Sequence, residues 1–236
     1  MPADETTLLE IGELELVGRL LDASNATFLV NVRGPAAETR QAIYKPTRGE
    51  RPLFDFPVGT LANRERAAYL LSEQTGWRIV PPTVLRDGPL GRGMVQLWID
   101  EDPEADVIEL LRAADTRLRR VALFDALANN ADRKGGHLLL TAGGHVHGID
   151  HGICFAAEPK LRTVLWNWRG RRLNGAELRV VEQVRAGIDG SLGGQLRELL
   201  SRREVEATAR RADDLLRERV FPQPDPSRPA VPWPPY

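Results

Sequence analysis

The stretch "NNADRKGGHLLLTAGGHVHGIDHG" runs from Asn129 to Gly152 and holds every histidine of the chain: His137, His145, His147 and His151. Asp132 and Asp150 stand among them. The pattern is that of a β-hairpin. Gly143-Gly144 suits a two-residue turn, because glycine takes positive φ without steric cost. With those glycines at the turn, Leu140 faces His147, Leu138 faces Ile149 and His137 faces Asp150. Directly opposed residues have Cβ atoms about 4.5–5.5 Å apart, close enough for two side chains to share one cation. Asp132 precedes the first strand, and its loop "DRKGGH" leads straight to His137, so two acids and a histidine gather around one point. A register slip of one residue would break this pairing.

Working outward, the chain before this stretch is rich in strands. In "ELELVGRLLDASNATFLVNVR" (13–33), Leu14 and Leu16, then Phe28, Val30 and Val32, alternate with other residues, which predicts two strands joined by the turn "DASN". "QAIYKP" predicts a third strand, ended by Pro46, and a Pro- and Gly-bearing loop follows. Thr60 is placed to cap a helix over "LANRERAAYLLSEQT", with Gly76 just past its end. "RIVPPTVL" and "RGMVQLWI" predict two more strands. Beyond the hinge-like "MVQLWIDEDP" the character becomes helical: two helices within 103–130, a capping box at Asn174 and Glu177, and further helix to about residue 220. The Pro-rich end, "FPQPDPSRPAVPWPPY", predicts an extended tail rather than a packed element. Three fates are open to it: docking on the protein itself, docking on a partner, or disorder.

The chain has 236 residues, 42% hydrophobic and 28% charged, which is enough for a real core. With a formal net charge of −1, nothing argues for general nucleic-acid binding. Cys154 is the one cysteine, so no intrachain disulfide forms. The acidic start "MPADETTLLE" has no basic-then-apolar signal pattern, and no apolar run reaches membrane-spanning length. The expectation is a cytoplasmic protein with no stable membrane insertion.

Two chemistries compete for the histidine-rich stretch. "HVHGIDH" resembles the H-x-H-x-D-H motif of metallo-β-lactamase-type hydrolases, and imidazole suits zinc. Here, however, one extra residue separates His147 from Asp150, and no histidine follows His151. Phosphoryl transfer from ATP needs a lysine on the phosphates, acidic or amide metal ligands, and an acid that orients the nucleophile. In kinases these groups follow a fixed chain order. Lys45 ends a strand as in V-A-I-K, and Glu65 lies on the next helix, on a face shared with Leu61 and Ala68. Asp132 follows, then His137 where a D-x-x-x-x-N loop has Asn, and then Asp150 and Gly152 placed like D-F-G.

"NNADRKGGH…GIDHG" resembles the catalytic and metal-binding loops of the phosphatidylinositol 3-/4-kinase-like superfamily. It is also similar to HipA-type kinases, which share an N-x-D-R pattern. With "YKPTRGERPLFDFP", "NRERAAYL" and "VPPTVLRDGPLG", the passage resembles a small actinobacterial family placed in that superfamily, over roughly residues 13–220. The resemblance implies an α+β, bilobal protein-kinase-like fold. The strand-rich N-lobe would be 1–97, the mainly helical C-lobe 98–222, and the tail 223–236. It implies ATP and Mg²⁺ or Mn²⁺ as cofactors. Lys45 would hold the nucleotide phosphates, Glu65 would hold Lys45, Asp132 would be the catalytic acid/base, and Asp150 the principal metal ligand. The backbone of Gln96, Leu97, Trp98 and Ile99 would meet adenine.

The chain departs from the kinase pattern in two places. "LLDASNATF" stands where a glycine-rich loop would lie, leaving Ser24 and Asn25 as polar contacts for phosphate, or as an ordinary turn. His137 stands where an oxygen ligand is expected; Mg²⁺ prefers oxygen, whereas imidazole suits Mn²⁺ or Zn²⁺ better, which leaves three roles open to His137: binding metal, touching phosphate, or neither. Three readings follow: a kinase with an unknown phosphoacceptor, a nucleotide-binding pseudokinase, and a metal-dependent hydrolase. The segment from Arg162 to Arg172, with Arg169 and Arg171 around Trp166 and Trp168, either attracts an acidic substrate or is a tryptophan-anchored loop with solvated arginines.

Overall fold

The computed structural model describes residues 4–20 and 25–236. Its first part is an antiparallel sheet of β1 (Glu13–Leu20), β2 (Thr27–Arg33), β3 (Thr39–Pro46), β4 (Thr83–Gly88) and β5 (Gly91–Leu97), in the order β1-β2-β3-β5-β4. Alternation gives the sheet two faces. Val30, Val32, Ala42, Tyr44, Val84 and Val95 form one face. Leu8 and Leu9 of helix α1 (Glu5–Ile11) complete its core. The acidic start of the chain thus makes a helix that its composition does not announce. Asp4 caps it, accepting from the Thr6 N–H. The other face carries Ile43 opposite Gln96 and Lys45 opposite Met94.

Helix α2 (Leu61–Thr75) crosses between β3 and β4. Gly76 ends it at φ 68°, a left-handed position that favours glycine. The expected Thr60 cap is corrected: its side chain makes no capping bond. The Glu50 carboxylate instead accepts from the N–H groups of Leu61 and Ala62, and a negative group is favoured at a helix N-terminus. Ala67, Ala68 and Leu71 of α2 pack not with the sheet core but with a larger helical core.

That core is built by α3 (Val107–Arg112), α4 (Thr116–Ala128), α5 (Gly175–Asp189), α6 (Ser191–Leu199) and α7 (Arg202–Glu218). Asn174–Glu177 forms the expected capping box, and Ser201–Glu204 forms a second. Between α4 and α5 lies a hairpin of β6 (Leu138–Leu140) and β7 (Val146–Gly148). Its register corrects the expected one by one residue. Leu138 pairs with Gly148, Leu139 with His147 and Leu140 with Val146. The loop holds three residues, closed by the Thr141 N–H donating to the His145 carbonyl, and of its two glycines only Gly144 has positive φ, 79°.

The Pro-rich segment after α7 is extended, as its composition predicts, but it is docked. Ala230 accepts from the Thr163 N–H and the Trp166 indole, and Pro235 accepts from the Gly135 N–H. The whole is an α+β arrangement with a strand-rich N-terminal sheet and a helical C-terminal part.

Candidate active site

Lys45 projects from the end of β3 to the line where the sheet meets the helical core. Its Nζ donates to Glu65 Oε1 and to Asp150 Oδ1, both at 2.8 Å. Glu65 is 2% exposed, and its Oε2 accepts from the His151 N–H at 2.8 Å. A buried carboxylate needs such partners, because an unpaired charge away from water is costly. Burial works against the Lys45 ammonium, but Asp150 and Glu65 outweigh it and hold its pKa above the ordinary lysine value. Lys45 in turn holds the Asp150 carboxyl well below the usual range.

Asp150 sits at φ 59°, just past β7. This left-handed residue turns the chain where the strand stops, with the Ile149 N–H donating to the His137 carbonyl. The corrected register pairs His137 with Ile149, yet the turn still swings Asp150 back: its Oδ2 lies 3.5 Å from His137 Nε2. Burial lowers the His137 pKa, and its Nδ1 is buried without a partner. An imidazole facing a carboxylate at that separation could hold a divalent cation between a nitrogen and an oxygen ligand. Among the described residues, no three His, Cys, Asp or Glu side chains stand preassembled around one point, so such an ion would draw further ligands from water or phosphate.

Asp132 follows α4 through a tight turn. Asn129 takes φ 52° and donates to the Ala156 and Glu158 carbonyls, and Asn130 accepts from the Asp132 N–H. The Asp132 carboxylate stays partly exposed, with Lys134 Nζ at 3.2 Å and Arg162 Nη2 at 3.9 Å. Arg133 points the other way and is wholly buried. It donates to Asp125 and to the carbonyls of His137 and Ile149, and lies 2.6 Å from His151 Nε2. One guanidinium therefore fixes the loop carrying Asp132, the turn carrying His137 and the turn carrying Asp150.

Sequence reasoning missed Arg133, Asp125, His151 and Lys134. One signal was present. Asp125 is a lone acid in the apolar run "VALFDALA", and a buried acid demands a cation nearby.

The other anticipated residues are placed as follows. Asn25 Oδ1 accepts from the Arg51 N–H, while Ser24 lies outside the described residues. The Gln96 side chain is buried and donates to Thr83 Oγ1. The N–H groups of Leu97 and Trp98 donate to the carbonyls of Pro82 and Gln41, and Ile99 packs against the sheet core. His145 and His147 stand apart from the two aspartates. Their rings meet at 4.4 Å and bond to the carbonyls of Arg78 and Ile79, so the four histidines form no single centre. Of the arginine segment, Arg162 alone reaches the site, bonding the Ala131 carbonyl. Arg169, Arg171 and Arg172 are exposed, and Trp168 is buried.

No known family profile matches the chain. It is 30% identical over 128 residues to phosphatidylinositol 4-kinase gamma 4 of Oryza sativa, spanning 46% of this chain and only 23% of that protein. In architecture it is similar to the Golgi casein kinase (TM-score 0.60, 15% identity, 92% of this chain and 76% of that chain). It is also similar to hydra Fam20 (TM-score 0.57, 14% identity, 90% and 87%). A third likeness is to the Helicobacter pylori proinflammatory kinase CtkA (TM-score 0.54, 12% identity, 90% and 94%). These likenesses show a kinase-like fold. Along nearly its whole length the sequence is similar to Protein Rv2133c of Mycobacterium tuberculosis, 44% identical over 272 aligned positions that take in 99% of this chain and 96% of that protein. The chain belongs to the family of Rv2133c, built on a kinase-like fold.

Proposed function

We propose that this protein is an ATP-dependent phosphotransferase. The observation that carries the proposal is the position of Lys45, equidistant from a helix carboxylate and from Asp150 at the mouth of the hairpin. In this reading Lys45 meets the nucleotide phosphates, and Glu65 keeps its ammonium aimed. Asp150 and His137 would hold a divalent cation, which when bound offsets charge on the phosphate oxygens. Asp132 accepts the proton of an acceptor hydroxyl as that oxygen bonds to the γ-phosphorus. The bond from γ-phosphorus to the bridging oxygen breaks, and ADP leaves with that electron pair. Lys134 and Arg162 beside Asp132 favour an acceptor bearing negative charge. With the Leu97 and Trp98 N–H groups engaged, adenine would be read by the carbonyls of the 96–99 segment and by the Ile99 N–H. Kinship to the phosphatidylinositol 3-/4-kinase-like enzymes, supported by the rice 4-kinase similarity, is part of this reading, and kinship to HipA-type enzymes rests on the N-x-D-R pattern alone.

The test is calorimetry with ATP and Mg²⁺ or Mn²⁺, followed by transfer of labelled γ-phosphate to the protein, to water and to acidic acceptors. Asp132→Asn should bind ATP as the wild type does and turn over about 10²–10⁴ times more slowly. Wild type that binds no ATP with either metal would sink the reading. His137 and the sequence in place of a glycine-rich loop favour a second reading, a pseudokinase. That one expects ATP binding with no turnover and no effect of Asp132→Asn.

A further inference from the structure

We infer that the Pro-rich segment is a strap that positions the catalytic loop, acting through Gly135; this rests on the phosphotransferase reading. Three strands of extended backbone lie side by side here. Arg133 bridges to Thr163 in parallel fashion, its N–H donating to the Arg162 carbonyl and its carbonyl accepting from Val164. The Thr163 N–H donates in turn to Ala230. The strap then crosses to the catalytic loop itself, where the Gly135 N–H donates to Pro235 at 2.8 Å. The Tyr236 ring lies directly on the Gly135 α-carbon, so that a methyl group there would overlap it.

Gly135 opens the 3₁₀ turn Gly135–His137, three residues after Asp132. The strap therefore covers the one stretch of backbone that joins the proposed base to the proposed metal ligand. Buried Arg133 fixes that stretch from inside, and Pro235 and Tyr236 close it from outside. Gly135 has no positive φ that would require glycine. A side chain at position 135 would meet the Tyr236 ring, which is 55% exposed and would have to turn aside. Phe221 is the last residue counted in the helical core, so residues 229–236 lie beyond it.

The inference makes a convergent expectation. A chain lacking residues 229–236, full-length Tyr236→Ala and full-length Gly135→Ala should each lose tenfold or more in kcat for metal-dependent release of ADP from ATP. The KM for ATP should stay within about twofold, and Tyr236→Phe should match wild type, since only the ring is used. In the shortened chain Gly135→Ala should cost nothing further, because the ring it would strike is gone. A synthetic peptide of residues 229–236 added in trans should restore part of the rate. Full activity in both the shortened chain and Gly135→Ala overturns the strap. Should wild type bind no nucleotide, the phosphotransferase reading falls, and the strap is judged by amide exchange. Faster exchange at Gly135 and His137 on shortening sustains it as a structural clamp, and unchanged exchange overturns it.

Discussion

At the scale of single residues, Lys45 balances two carboxylates that differ in surroundings. Glu65 is sealed in, whereas the Asp150 side chain is 42% exposed. Removing the ammonium therefore harms Glu65 most, since that carboxylate would keep only the His151 N–H. Lys45→Met should lower stability by about 3 kcal/mol, within the range seen when one partner of a buried pair is lost. Adding Glu65→Gln should return part of it, because a neutral amide does not need the cation. Urea unfolding of the wild type and the two variants checks this, and equal stability of the single and double variants would refute it. Lys45, Glu65 and Asp150, which the structure brings together, could be picked out in the sequence because they follow a chain order with chemical meaning. Arg133 and His151 could not. Each reads locally as a surface charge or a turn residue, and their burial depends on Asp125 arriving from another element. His151 is packed edge-on against Phe124, and burial drives its pKa well below the usual value.

At the scale of elements, the β6–β7 hairpin shows how a contact can survive a wrong register. The sequence offers two adjacent glycines, and both a two-residue and a three-residue loop can use them. The closing bonds between Thr141 and His145 decide for three residues. His137 and Asp150 still meet because the strand ends at Gly148 and a left-handed Asp150 turns inward. The same register places His147 against the Ile79 backbone. Burial, with His145 beside it, pushes the His147 pKa down to about 4. The folded form thus binds this proton less readily than the unfolded chain. Its stabilising contribution is present above the unfolded pKa of about 6.5 and fades as pH falls through the window down to about 4. His147→Gln should remove roughly 2 kcal/mol of pH dependence between pH 6.5 and 4. Thermal unfolding across that range measures it, and an unchanged slope would contradict the assignment.

At the scale of the whole molecule, the sheet core and the helical core share no residue, and α2 belongs by packing to the second. Strand and helix periodicity made the elements legible, but not this partition, because α2 follows β3 in sequence and its apolar residues suit either neighbour. What ties α2 down is Arg64, adjacent to Glu65 and 1% exposed. It donates to Glu204 Oε1 of α7 at 2.5 Å and to the Cys154 carbonyl at 2.7 Å, and it lies over the Phe56 ring. Two neighbouring residues of α2 thus grip the chain after Asp150 at two points: Glu65 at the His151 N–H and Arg64 at the Cys154 carbonyl. Helix α2 and the Asp150 segment are thereby tied to each other, and Lys45 reaches a carboxylate of each from the sheet. Arg64→Met should destabilise by about 3–5 kcal/mol, because Glu204 is left as an uncompensated charge. Arg64→Met with Glu204→Met should regain part of that loss, since an apolar pair can replace a buried ion pair, although the bonds of Ser201 to Glu204 are lost with it. The double variant would still lack the donor to Cys154, leaving α2 free to shift against Asp150. Its turnover should therefore remain low while its unfolding midpoint rises above that of the single variant. Recovery of both together would show that Arg64 serves stability alone.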